Sequence, residues 1–292
     1  MRTYLDCIAC FVRQGLDVAR FVSTDERVHE QVLRGVLEAA LALDFRQPPP
    51  AMGQHIHRLV RELTGQADPY REVKERFNAF GLELYPQLKK QIQQSDHPLE
   101  TSIRLAIAGN IIDFGPYGQI DRSHVEEAIS HSLSAPLSSD SVADFRQAVE
   151  QAKEILYLAD NAGEIVFDRL LIEQLPYRNI TVVVKGSAVI NDATLADAQT
   201  AGLTDLVKVI DNGSDAPGTI LETCSARFQD RFSSADLIIA KGQGNYETLS
   251  QFSGNIFFLL KAKCPVIANH LDVEVGSLVL QRSTGVSEAI NR

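Results

Sequence analysis

The hydrophobic pattern along the chain changes its period near residue 150. Before that point apolar residues recur every three or four positions. Val28, Val32, Leu33, Val36, Leu37, Ala40 and Leu41 share one helical face, after a cap at Thr24 or Asp25. Helices are also expected over 69–95 and 98–112. The prolines of "QPPP", 47–50, close the helix that precedes them, because proline lacks the amide donor and restricts its predecessor. Ser123 and Glu126 form a capping-box pattern before "VEEAISHSL". "SAPLSSDS", 134–141, reads as a loop between two regions.

Beyond residue 150, short β-rich runs alternate with helical segments. The runs are "ILYLA" (155–159), "ITVVV" (180–184), "LVKVI" (206–210), "LIIA" (237–240), "IFFLL" (256–260) and "PVIA" (265–268). Several are apolar on both faces, as in a parallel sheet covered by helices on both sides. The alternation predicts a doubly wound α/β domain over 141–292, preceded by a helical region over 1–140. No internal repeat or low-complexity tract is present.

Composition narrows the partners. A length of 292 residues fits one large domain or two ordinary ones, and 45% hydrophobic content supplies a core. The net charge of −10 argues against nucleic acid or an anionic membrane, which need clustered cations. A small anionic substrate is still compatible, since a few local cations override the average. No run of 18 apolar residues exists, so no membrane helix is expected. "MRTYLDCIAC" lacks the apolar stretch of a signal peptide, which points to the cytoplasm. Cys7, Cys10, Cys224 and Cys264 are then expected as reduced thiols. Homo-oligomer formation is left open.

Polar residues collect immediately after four of the strands. "ILYLA" runs into "DNAGE", "ITVVV" into "KGSAVINDAT", "LVKVI" into "DNGSDAPG" and "LIIA" into "KGQGNYE". The carboxyl ends of parallel strands share one edge, and ligands bind in the crevice there. Asp160, Asn161 and Asp192 offer hard oxygen ligands suited to magnesium, manganese and similar divalent ions such as cobalt and nickel. Lys185 and Lys241 offer point charges for a phosphate. Gly163, Gly186, Gly242 and Gly244 let backbone amides approach an anion. A cation with lysines around an oxyanion is the equipment of phosphoryl chemistry.

Each motif also has a plainer reading. Asp160-Asn161 and Asn191-Asp192 can be helix caps. Lys241-Gly242 can be a solvated turn, and "DNGSDAPG" a flexible one. "KGQGN" is not the dinucleotide fingerprint. What favours a site is the convergence of all four on one edge.

In this order, "DNAGE", "KGSAVINDAT" and "AKGQGNYETL" resemble the metal-dependent damage-control phosphatase family, long catalogued as a domain of unknown function. "AGNIIDFG" at 108–115 is similar to a further family signature, and Cys7-x-x-Cys10 resembles its small prokaryotic branch. The resemblance implies a helical N-terminal region packed on a doubly wound, mostly parallel three-layer α/β domain. It implies a divalent ion on Asp160, Asn161 and Asp192, and a small phosphorylated metabolite as substrate. Lys241 would bind the phosphate, with Gly242, Asn245 and Glu247 in the same segment. Glu164 would orient or deprotonate the attacking water, or hold the substrate. Asn110 and Asp113 would line the cleft from the helical side. Some members end the last motif Asn-Tyr-Arg where this chain has Asn245-Tyr246-Glu247, so a cation is missing there.

Other residues stay open. Cys7 and Cys10 sit one helical turn apart, as a packed pair or as a metal or redox pair. His55 and His57 point about 200° apart on a helix and are not expected to ligate jointly. His270 falls at the same sheet edge as the loops. Two rival functions remain: carboxyl methylation from S-adenosylmethionine, an older description of a relative, and a non-catalytic module for a phosphorylated ligand. An aspartyl-phosphate route through Asp160 is disfavoured, since Asn161 and Ala162 break the DxD pattern.

Overall fold

The computed structural model describes residues 1–109 and 122–283. Seven helices come first: α1 (Leu5–Val22), α2 (Glu26–Leu41), α3 (Pro49–Thr64), α4 (Arg71–Gln94), α5 (Pro98–Ala108), α6 (Arg122–Ser134) and α7 (Ser139–Gln151). Asp25 caps α2 by accepting the Arg27 amide. Three local expectations are corrected. The prolines of 47–50 do not end α2, which stops at Leu41; Pro49 and Pro50 open α3. Proline is well placed there because first-turn amides have no intrahelical acceptor. Ser123 is not an N-cap, since α6 already includes Arg122, whose Nε donates to Glu126 at 3.0 Å. The loop of 134–141 is shorter than expected, because Ser138 caps α7.

The second half alternates β1 (Ile155–Leu158), α8 (Glu164–Ile172), β2 (Ile180–Val184), α9 (Leu195–Thr200), β3 (Lys208–Asp211), α10 (Ala226–Ser234), β4 (Leu237–Lys241), α11 (Gly242–Leu249), β5 (Ile256–Lys261), α12 (Pro265–Leu271) and β6 (Leu278–Arg282). The sheet order is β3-β2-β1-β4-β5-β6. The first five strands are parallel, and β6 runs antiparallel to β5 at the edge. "PVIA" is therefore not a strand. Pro265 has no amide for a ladder and instead fills the first turn of α12, after an extended Cys264.

Each strand feeds two apolar layers. Ile155, Tyr157, Ile239, Phe257 and Leu259 face a core shared with α4 to α8. Leu156, Leu158, Ile238, Phe258 and Leu260 face a second core with α10 to α12. The first core runs from Phe80, Leu84 and Ile103 through to β1, so it is continuous across residue 140. Helices α1 to α3 close a third cluster around Phe11, Val36, Ile56 and Val60. No helix among the described residues is long and apolar enough to cross a membrane.

Phe257 on β5 meets Phe145 on α7 edge-on, with centroids 5.3 Å apart, and both rings are fully buried. Phe257→Ala is expected to cost ~3–5 kcal/mol. The measurement is the denaturant midpoint at unchanged m-value.

Candidate active site

The strand order reverses between β1 and β4, so their following loops part and open a crevice at the carboxyl edge. The "DNAGE" loop leaves β1 there. It does not cap α8 with its acidic pair: α8 starts at Glu164, and Gly163 precedes it with φ 78°. A side chain at Gly163 would place Cβ 2.8 Å from Phe77 Cβ, so only glycine lets the loop lie on α4. The Gly163 amide donates to Asn78 Oδ1 at 2.8 Å, and Asn78 Nδ2 donates to Asp197 Oδ1 at 2.8 Å. One asparagine of α4 thus ties the loop after β1 to the start of α9.

The loop after β2 is zipped to the same segment. Ala162 N–H donates to the Asn191 carbonyl and Ala193 N–H to the Asp160 carbonyl, both at 2.8 Å. Asn161 and Asp192 pair as an antiparallel bridge. Asn191-Asp192 is not the cap of α9; Thr194 and Asp197 form that capping box. The two acidic segments, thirty residues apart, are therefore brought side by side by backbone bonds.

Their carboxylates crowd. Burial, then Glu164 and Asp192, push the Asp160 carboxyl well above its ordinary range. Burial raises Asp192 to about 6, against the pull of Lys185. Asp192 Oδ2 is buried without a hydrogen bond, and its ion-pair partner, Lys185 Nζ, stands off at 3.4 Å. Asn161 Nδ2 donates to Asp160 Oδ2 at 2.7 Å and to Glu164 Oε2 at 3.0 Å, which leaves its carboxamide oxygen out of both bonds. Gly242, with φ 78°, lies against this group: an added Cβ would sit 1.9 Å from Asp160 Oδ2.

The two lysines expected to meet a phosphate are held below. Lys241 is fully buried. Its ammonium donates to Glu164 Oε1 at 2.8 Å, Asp168 Oδ1 at 2.5 Å and the Ala106 carbonyl at 2.8 Å. Burial opposes its charge, but Asp168 and Glu164 outweigh that and hold it above the ordinary lysine value. Asp168, raised to about 6 by burial and held down by Lys241, also accepts the Tyr157 hydroxyl at 2.8 Å. Lys185 donates to the Gly218 carbonyl and faces Asp192. Asn245 is buried too; it accepts from Thr219 at 2.7 Å and donates to the Lys241 carbonyl at 2.8 Å, joining the loops after β3 and β4. The "DNGSDAPG" loop is no loose turn, because Asp215 takes Gln54, Arg58 and Arg61 of α3.

Above these groups lies a cleft of about 520 Å³. Asp160, Asn161, Asn191 and Asp192 form its floor, with Gly218, Gln243 and Glu247 beside them. Phe11, Phe21, His57, Tyr70 and Phe77 of the helical region form an apolar wall. Arg13 and Lys263 reach its lining as cations. Sequence reasoning missed the wall and Arg13, because no spacing marks a helix that arrives from another layer; it also passed over Lys263, although its place two residues after β5 put it at the same carboxyl edge. Glu247, raised to about 7 mainly by burial, accepts from Gln243 at 2.9 Å. Cys10 lines the cleft, all four cysteines are free, and burial raises the Cys7 and Cys10 thiols. His270 bonds Tyr246 at 2.6 Å and is not in the cleft lining. Asn110 and Asp113 lie outside the described residues. No group of three or more His, Cys, Asp or Glu side chains suited to an ion occurs among the described residues; the floor offers two carboxylates and two carboxamides.

An open, mostly parallel sheet with an acidic switch point under a helical cover defines a doubly wound α/β protein with a cleft at its strand ends. The chain belongs to the damage-control phosphatase ARMT1-like family, whose domain matches residues 3–279. It is similar to an uncharacterized protein of Methanocaldococcus jannaschii, 37% identical over 94% of this chain and 93% of that one. A damage-control phosphatase of Archaeoglobus fulgidus is 34% identical over 94% of this chain and 96% of its own length. The crystal structure of a DUF89 family protein from Pyrococcus horikoshii superposes with a TM-score of 0.84 at 33% identity, covering 97% of this chain and all of that one.

Two outcomes follow from the buried charges. Lys241→Met leaves Glu164 and Asp168 without their cation and is expected to destabilise the fold by roughly 3–5 kcal/mol, read by chemical denaturation. His57 is buried, its Nε2 lacks a hydrogen-bond partner, and burial and then Arg61 lower it to about 3. Its folded value lies below its unfolded one, so its contribution is complete above pH 6.5 and shrinks as pH falls towards 3. At pH 5 the loss is about 2 kcal/mol, and His57→Phe should flatten that slope in denaturation curves from pH 7 to 5.

Proposed function

We propose that the protein is a divalent-metal-dependent phosphomonoesterase acting on small phosphorylated metabolites: sugar phosphates, phosphopantetheine-like esters or damaged metabolites. The observation that carries this reading is the Asn161–Asp192 bridge, which sets two carboxylates and a carboxamide together while buried Asp192 Oδ2 makes no hydrogen bond and faces the Lys185 ammonium at 3.4 Å. Family membership supports phosphatase chemistry. The cleft volume suits a small metabolite.

The donor set fits a hard divalent cation such as manganese, magnesium, cobalt or nickel. Asp160, Asn161 and Asp192 would hold it through oxygen atoms. When bound, such an ion neutralises phosphoryl oxygens and acidifies water. The chain's own residues do the rest. Glu164 positions Asn161 by accepting its amide, and Lys241 in turn fixes Glu164. Gly242 leaves room for the Asp160 carboxylate. The apolar wall excludes water from one side of the substrate. In the reaction a water oxygen bonds phosphorus as the ester P–O bond breaks, and a proton given up by the water is taken up by the leaving oxygen, giving alcohol and inorganic phosphate.

Purified protein is expected to hydrolyse p-nitrophenyl phosphate only with manganese, cobalt, nickel or magnesium, and to lose the activity on chelation. Asp192→Asn, which keeps the shape and removes the charge, should lower the rate by about 100-fold or more. No metal-stimulated turnover on this ester and a panel of metabolite phosphates would refute the reading.

A further inference from the structure

A phosphate ester brings two negative charges into a cleft already lined by Asp17, Asp160, Asp192 and Glu247. Cations must face it besides any metal ion. Lys241 and Lys185 are unsuited. The first is enclosed by three acceptors with no exposed surface, and the second is 3% exposed and bound to the Gly218 carbonyl and Asp192. Withdrawing either from its partners would strand a buried carboxylate.

Among the described residues, the lysine and arginine side chains in the cleft lining are Lys263 and Arg13. Lys263 follows β5 by two residues, at the same carboxyl edge as the acidic loops. Its backbone amide donates to Gln243 Oε1 at 3.3 Å. Gln243 neighbours Gly242, which packs on the Asp160 carboxylate. The loop after β5 is thereby anchored one residue from the acidic floor. Lys263 is exposed and shares the cleft lining with Asp160. A flexible ammonium with three donors at that place can follow phosphoryl oxygens as they move. Arg13 stands on α1, one turn beyond Cys10, in the same lining.

We propose that Lys263, exposed in the cleft lining that also holds Asp160, holds the phosphoryl group of the substrate, with Arg13 as the second cation, while Lys241 and Lys185 are structural. This assignment rests on the phosphomonoesterase reading and names the anion-binding residue within it.

The test is calorimetric titration of inorganic phosphate into manganese-loaded protein, with no turnover involved. Lys263→Ala should weaken phosphate binding about tenfold or more, since a charge-assisted hydrogen bond is lost. Lys263→Arg should stay within about threefold of wild type, and manganese affinity should not fall in either variant. Arg13→Ala should show a smaller loss. Wild-type phosphate affinity in Lys263→Ala overturns the proposal, as does a loss that only accompanies lost manganese affinity, or no phosphate binding by the wild type. If the wild type binds phosphate through Lys263 but hydrolyses no ester, the hydrolytic reading fails and this one stands. If it hydrolyses esters while Lys263→Ala keeps wild-type KM and phosphate affinity, the reverse holds.

Discussion

Lys241 carries a charge where no water reaches. The desolvation cost of an ammonium in such a place is offset only by close carboxylates and good geometry, and Glu164, Asp168 and the Ala106 carbonyl supply both. These partners belong to α8 and α5, while Lys241 ends β4. One side chain therefore locks the sheet to two helices beneath the crevice. Tyr157 of β1 closes the same network through Asp168. The surface groups of the site inherit their positions from this anchor, because Glu164 is also the residue that orients Asn161.

A second constraint is steric. The loops after β1 and β4 can lie together only because Gly242 has no Cβ against Asp160, and the loop after β1 can lie on α4 only because Gly163 has none against Phe77. Both glycines sit at positive φ, where other residues are strained. Backbone bonds from Ala162 and Ala193 then place Asp192 beside Asn161. The result is a floor where the Asp160 and Asp192 carboxylates crowd, with Asn161 donating to Asp160 and the Lys185 ammonium facing Asp192 at 3.4 Å.

The helical half supplies shape and, through Arg13 and Asp17 of α1, some of the charge. Aromatic residues of α1, α3 and α4 wall the cleft, with Phe21 stacked on Tyr70 at 4.8 Å. The ion cluster of Asp215 with Arg58 and Arg61 fastens the loop after β3 to α3 and so sets where Gly218 borders the cleft. Floor and wall come from different halves of the chain: α4 shares a core with the sheet, while α1 to α3 pack in a cluster of their own.

The alternation of apolar runs and polar loops was enough, by itself, to establish the α/β layering and the edge where the acidic residues gather. Strand ends share an edge by topology, so this part of the site needs no side-chain detail. Local punctuation was less secure. "PVIA" reads as a strand by composition, but Pro265 serves a helix start better than a ladder, and β6 is a short edge strand with little pattern. Only the tertiary structure decided which cations are consumed. A lysine after a strand looks the same in sequence whether it faces a ligand or two buried carboxylates. Lys241 and Asp168 are seventy-three residues apart, and no period connects them. Burial is a property of the assembled layers, and burial determines which charges are fixed inside the frame and which remain at the cleft.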